Sequence, residues 1–155
     1  MQIEVKIGAL IMDPNSNTPI VVLKGVDSEN ILPIWVGAFE ANAIALEIEK
    51  IVPQRPMTHD LIRNLITETG LQVQKIIISD LADNTFYAKI ELLDKNSQTI
   101  LLDSRPSDAI ALALRSDCPI FVEDKVFEIS NTTNANEPDI ETDTAVVDEW
   151  DEFIE

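Results

Sequence analysis

The stretch DSRPSDAIALALR, residues 103 to 115, places two acids and an arginine directly before a run of aliphatic residues that favours a helix. A residue that precedes proline is held extended, so Arg105 should lie just ahead of this helix. A version of the pattern without the Asp-Arg-Asp cluster, GAFEANAIALEIE, occupies residues 37 to 49. The two stretches predict two equivalent helices, of which only one begins with a charged cluster.

The two predicted helices belong to a longer internal repeat. A shift of 66 residues places Ala-Ile-Ala-Leu at 43 to 46 on the same four residues at 109 to 112. Three β-like runs separated by turn residues precede each copy. The sequence therefore predicts an α+β fold built from a duplicated β-β-β-α unit, with a mostly antiparallel sheet and helices packed on it. An additional helix, inserted between the copies, is expected from about Thr58 to Thr69.

Length and composition favour one domain in the cytoplasm. The 155 residues are 45% hydrophobic, which suffices for one buried core. The first residues alternate apolar and polar side chains, as a strand does and a signal peptide does not. No run approaches the roughly 18 apolar residues of a membrane helix, so no membrane contact is expected. The single cysteine, Cys118, has no disulfide partner.

The charge is strongly negative and unevenly distributed. The chain carries 28 acids and 11 bases for a net charge of −17, and nine of the acids lie in residues 131–155, which contain no Lys or Arg. We predict a domain over residues 1–130 and an acidic, disordered tail over 131–155. The remaining net charge of −8 argues against a broad basic surface for nucleic acid.

The tail ends in a pattern typical of an amphipathic helix. Its apolar residues recur at spacings of three and four, with acids between them: Val146, Val147, Trp150, Phe153 and Ile154. The tail is therefore either a solubilising extension or a segment that docks in a groove of its own domain or of another protein.

Two helix beginnings carry the candidate functional residues. Thr58 and Ser107 are predicted N-caps, and Asp60 and Asp108 fall in the first turns, where carboxylates suit the helix dipole. A structural role accounts for these four residues. It does not explain why an arginine precedes the proline at both places.

The arginines suggest a phosphate site. Arg55 and Arg105, held extended beside helix N–H groups and near Ser107, are candidate substrate-binding residues, because guanidinium groups and helix N-termini both favour oxyanions. The alternative is an internal salt bridge between Arg105 and the neighbouring acids Asp103 and Asp108.

The acids suggest a metal site. Asp103 and Asp108, with Glu40 from the matching position of the first copy, could hold Mg²⁺ or Mn²⁺. No Gly-rich phosphate loop or zinc motif is present, and no organic cofactor is expected.

His59, the single histidine, is the candidate for proton transfer, with Asp60 as its alternative. The predicted catalytic set is thus His59, Asp60, Asp103 and Asp108. A histidine on a helix can equally serve local packing.

Four blocks resemble a known family. LPIWVGAFEANAIA, RPMTHDL, FYAKI and DSRPSDAIALALR, in this order, are similar to the bifunctional nuclease domain family over about residues 1 to 128. The resemblance implies an α+β domain with nuclease activity on RNA and DNA.

The sequence thus favours a metal-assisted nuclease that hydrolyses phosphodiester bonds of DNA or RNA, in a homo-oligomer such as a dimer. The alternative is a non-catalytic regulatory or protein-interaction module, which the acidity favours.

Overall fold

The computed structural model describes residues 1–133, which form seven strands and four helices. They are β1 (Gln2–Met12), β2 (Pro19–Gly25), β3 (Ile31–Trp35), α1 (Ala38–Ile48), α2 (Thr58–Glu68), β4 (Gln72–Ala82), β5 (Thr85–Leu93), β6 (Thr99–Ser104), α3 (Pro106–Ser116), β7 (Ile120–Glu123) and α4 (Asp124–Thr133). The predicted α+β class is confirmed, and the inserted helix is α2.

One sheet contains all seven described strands, in the order β3-β2-β1-β7-β4-β5-β6. Neighbouring strands are antiparallel except β4 and β7, which are parallel. Each half contributes three consecutive antiparallel strands followed by a helix, α1 in the first half and α3 in the second. The order of elements is that of the predicted repeat; its origin in a duplication stays a prediction. Strand β7, which the sequence pattern did not reveal, joins the halves.

Helix α3 lies at the centre of the helical layer. Its run of alanines, together with Ile110 and Leu112, is almost fully buried. It contacts α1, α2, β4 and β5. Small side chains let the helices approach closely, which explains why the aliphatic run of the opening stretch is so rich in alanine.

The helix beginnings differ from the predicted caps. The N-cap of α3 is Arg105, because Pro106 already occupies the first helical turn and keeps the preceding residue extended. The N-cap of α2 is Met57, so Thr58 is already helical. The Asp60 carboxylate accepts a hydrogen bond from the Met57 N–H at 3.0 Å. The predictions of Ser107 and Thr58 as N-caps are therefore wrong, whereas the extended conformation of Arg105 is confirmed.

Helix α4 continues to Thr133, three residues into the segment predicted as tail. Its Val126 and Phe127 belong to the main core. The apolar pattern from Val146 to Ile154 lies outside the described residues, and the boundary near residue 130 stays a prediction. Among the described helices, none is long and apolar enough to cross a membrane.

Candidate functional site

Three helices begin around one cavity of about 700 Å³. Much of its polar lining comes from the first turn or cap of each helix: Glu40 of α1, Thr58 and His59 of α2, and Arg105 and Asp108 of α3. The N-terminus of a helix carries partial positive charge and free N–H groups, which favour anions. Residues of three helix N-termini therefore border a single cavity.

His59 and Asp108 form a hydrogen-bonded pair in this cavity. The imidazole Nε2 lies 2.9 Å from Asp108 Oδ1, and the His59 side chain is only 13% exposed. An aspartate bonded to one ring nitrogen fixes the orientation of an imidazole and stabilises its protonated form. The pair can therefore support proton transfer at the other ring nitrogen, Nδ1.

Arg105 connects this pair to α1. Its Nε donates to Asp108 Oδ2 at 3.0 Å, and its Nη2 donates to Glu40 Oε1 at 2.9 Å. The Arg105 side chain is nevertheless 65% exposed. The four groups form a continuous chain from His59 through Asp108 and Arg105 to Glu40, and the salt-bridge alternative for Arg105 and Asp108 is thus present in the structure. We call these four residues the charged chain.

The charged chain alters the ionisation of its members. Burial raises the pKa of the Asp108 carboxyl, but the hydrogen bonds from His59 and Arg105 outweigh this effect, and the net pKa lies below the ordinary value. The hydrogen bonds to Asp108 and Glu40 raise the pKa of the Arg105 guanidinium. Asp108 and Arg105 therefore both carry full charge at neutral pH.

The three predicted metal ligands do not come together. Glu40 and Asp108 are held apart by the Arg105 guanidinium between them. Asp103, which also lines the cavity, is exposed and lies 3.6 Å from Lys89 Nζ on the neighbouring strand. Over residues 1–133, no group of three or more His, Cys, Asp and Glu side chains is arranged to hold a metal ion. This arrangement of side chains does not fit a metal.

Asp60 follows His59 on α2, about 100° further around the helix, and does not line the main cavity. It lines a second cavity, of about 320 Å³, and pairs with Arg115 at 2.8 Å. Arg115 is almost fully buried and also donates to the backbone carbonyls of Ala111 and Ala43. Through Arg115, Asp60 thus links α2 to α3 and α1. Asp60 is not part of the charged chain.

The remaining predicted residues are separate from the charged chain. Ser107 is buried and lines a smaller neighbouring cavity of about 260 Å³. Arg55 is exposed in the loop before α2 and lines none of these three cavities.

The roles of two residues were not predicted from the sequence. Arg115 ends the opening stretch and had no predicted role, although an arginine that directly follows an apolar helical run can form a buried ion pair. Phe39 is 89% exposed and lines the main cavity. The repeat offered a signal, because the shift of 66 residues places Phe39 on Arg105.

The residues that line this cavity lie in a part of the chain that matches a known family. A sequence model of the bifunctional nuclease domain matches residues 21–135, which include all of the charged chain. The chain belongs to the bifunctional nuclease domain family. The match includes both Arg-Pro stretches that first suggested a functional site.

Relatives of this domain family occur in bacteria and plants. An uncharacterized protein of Mycobacterium tuberculosis is 39% identical over 98% of this chain and 93% of its own length. Bifunctional nuclease 1 of Oryza sativa is 28% identical over 68% of this chain. Bifunctional nuclease 1 of Arabidopsis thaliana is 26% identical over 67%. The chain spans about a third of the length of these two plant proteins.

Proposed function

We propose that this bifunctional nuclease domain hydrolyses phosphodiester bonds of DNA or RNA in the cavity bounded by α1, α2 and α3. The observation that carries the proposal is the charged chain, in which an Asp-oriented imidazole and an exposed guanidinium line one cavity at three helix N-termini. Membership of the family and the plant nucleases among its relatives support the reaction class.

His59 is the proposed general base. With the Nε2 proton donated to Asp108, Nδ1 keeps a lone pair that can accept a proton from water. The water oxygen forms a bond to phosphorus while the bond from phosphorus to the leaving sugar oxygen breaks. The proton taken by His59 then passes to that leaving oxygen, so the imidazole returns to its neutral form.

Arg105 is the proposed phosphate-binding residue. Its guanidinium binds two carboxylates in the free protein, and a phosphodiester offers the same pair of oxygen acceptors. The substrate would displace Glu40 from Nη2 while Asp108 keeps its hydrogen bond to Nε. Arg105 and the helix N-termini would then stabilise the negative charge that grows on phosphorus oxygens in the transition state.

Metal assistance is a separate proposal. Mg²⁺ or Mn²⁺ would require Glu40, Asp103 and Asp108 as ligands. In the free protein Glu40 and Asp108 instead bind the Arg105 guanidinium. Cleavage measured with and without a chelator, followed by addition of each metal ion, distinguishes a metal-assisted reaction from one that depends on His59 and Arg105 alone.

The experiment that tests the proposed function is a cleavage assay with labelled single-stranded DNA, duplex DNA and RNA. His59→Gln and Arg105→Ala should both remove cleavage without unfolding the protein, as judged by circular dichroism. Full cleavage by both variants would place the reaction elsewhere or assign it to a contaminating nuclease.

A non-catalytic interaction module is the second candidate function. One observation favours it: each carboxylate of the charged chain already has a hydrogen-bond partner, as expected of a structural cluster. Under this alternative, wild-type protein cleaves none of the three substrates, whichever metal ion is added. His59→Gln and Arg105→Ala then change only the stability of the protein.

A further inference from the structure

The two edges of the sheet differ in how they are protected. Edge strand β3 is five residues long, contains Pro33, and buries Leu32 and Ile34. A proline and a short length are common protections of an edge strand against pairing with another chain. The opposite edge, β6, is one residue longer and contains no proline.

Strand β6 exposes apolar side chains on both faces. Ile100, Leu101 and Leu102 are 38%, 58% and 44% exposed, and residues 99 to 102 contain no charge. Within residues 1–133, β6 pairs only with β5, so the backbone groups of its outer edge have no strand partner. An open apolar edge of this kind is a site for strand addition.

We propose that β6 pairs antiparallel with β6 of a second copy of this chain, about a two-fold axis at Leu101. This register places Leu101 opposite itself and Ile100 opposite Leu102, so every central cross-strand pair is apolar. Thr99 then faces Asp103. The sequence of the strand is therefore complementary to itself in this register.

Neighbouring registers are less favourable. An axis between Leu101 and Leu102 places Asp103 opposite Ile100, and an axis at Leu102 places Asp103 opposite Leu101. Each of these would set a carboxylate against an apolar side chain across the strands. The axis at Leu101 alone avoids that contact while keeping the three apolar residues paired.

Charge also favours a second copy in this arrangement. Residues 1–130 carry a net charge of −8, so an uncharged strand offers a surface on which two copies avoid like-charge repulsion. In the proposed register the two Asp103 side chains stand four residues apart along the strands, roughly 13 Å. That separation exceeds the screening length of about 8 Å at physiological salt. Each Asp103 also has Lys89 of its own chain at 3.6 Å.

The pairing would bring the second copy to the proposed nuclease cavity. Leu102, Asp103 and Ser104 line that cavity from the end of β6. Thr99 of the second copy, opposite Asp103, would border the cavity mouth. The dimer proposal itself stands on the strand geometry and does not depend on nuclease activity.

Sedimentation equilibrium of the full chain tests the proposal. We expect wild-type protein at twice the 17.3 kDa of one chain. Leu101→Lys should halve that mass, because it sets two ammonium groups opposite each other at the axis. Leu61→Lys is the matched control, since Leu61 is 62% exposed on α2, and this variant should remain dimeric.

Cross-linking tests the register independently of folding defects in the lysine variant. In a Cys118→Ala background, Leu101→Cys should form an intermolecular disulfide under mild oxidation, because opposed residues of antiparallel strands lie about 4.5–5.5 Å apart at Cα. Leu61→Cys should not cross-link. A monomeric wild-type protein, or a dimer that neither Leu101→Lys disrupts nor Leu101→Cys captures, would overturn the proposal. If the wild-type protein is monomeric and Leu101→Lys makes residues 134–155 more accessible to protease, the proposal is overturned and that segment of the same chain is the one that pairs with β6.

Discussion

The His59 imidazole lies 2.9 Å from the Asp108 carboxylate, although the two residues are 49 positions apart in the chain. Each residue lies in the first turn of its helix, and α2 packs against α3. The pair therefore depends on how these two helix N-termini meet. Any change in the packing of α2 on α3 would separate the proposed base from the carboxylate that orients it.

Removing the charge of Asp108 should affect catalysis much more than stability. In Asp108→Asn we expect cleavage to fall by about a hundredfold or more, the usual range for losing an oriented acid–base group. Because Arg105 is largely exposed, the lost ion pair should change unfolding free energy by only about 1 kcal/mol or less. Cleavage rates and urea unfolding check both values.

Asp117→Asn is the matched control for Asp108→Asn. Asp117 lies at the other end of α3 in a left-handed conformation that asparagine tolerates. This control should retain both activity and stability. Parallel loss of activity and stability in Asp108→Asn would instead indicate that the charged chain is a structural cluster.

Glu40 competes with a bound phosphate for the Arg105 guanidinium, so Glu40→Gln should strengthen phosphate binding. The neutral amide is a weaker acceptor than the carboxylate. An exposed ion pair contributes about 0.2–1 kcal/mol, and we expect inorganic phosphate to inhibit cleavage at concentrations up to about fivefold lower. Weaker inhibition in this variant would show that Glu40 positions Arg105 for the phosphate and does not compete with it.

The sequence predicted the fold better than the contacts within the site. Alternating strands and alanine-rich helices are local patterns, and they indicated the α+β class and the position of α2. The pairing of Arg105 with Glu40 could be anticipated because the repeat relates the two helix beginnings. The placement of His59 and Asp60 in two different cavities could not be anticipated, because it depends on where α3 packs.

The buried Arg115 was missed for a similar reason. Its role requires the Asp60 carboxylate of α2 and the Ala43 carbonyl of α1, neither of which is local in sequence. Strand β7 was missed because a four-residue segment with three apolar side chains does not distinguish a strand from the end of a loop.

The Cys118 thiol should react slowly with alkylating reagents at neutral pH. Burial raises its pKa to about 11, and the thiolate is the reactive form. Iodoacetamide labelling followed by mass spectrometry should show slow modification at pH 7.5 that becomes rapid in urea. Equally fast labelling in folded and unfolded protein would contradict the buried position.

Breaking the Asp60–Arg115 pair should destabilise the domain strongly. Arg115 is 4% exposed, and Asp60→Ala would leave its charge buried without a counter-ion. We expect a loss of about 3–5 kcal/mol in unfolding free energy, measured with urea. Lys125→Ala on α4, which removes an exposed and longer contact with Asp80 of β4, is the control and should cost less than about 0.5 kcal/mol.

The same pair should make stability fall in acid. Burial raises the pKa of the Asp60 carboxyl, but the Met57 N–H and the Arg115 guanidinium lower it by more, and the net pKa lies below the ordinary 3.8. A carboxyl that is more acidic in the folded protein stabilises it fully above pH 3.8, and this contribution is lost as the pH falls through the folded-state pKa. Urea unfolding at pH 7 and pH 3 should therefore show a larger loss for wild type than for Asp60→Asn. An identical loss in both proteins would assign the acid sensitivity to other carboxylates, of which Asp108 is the first to test because its pKa is lowered as well.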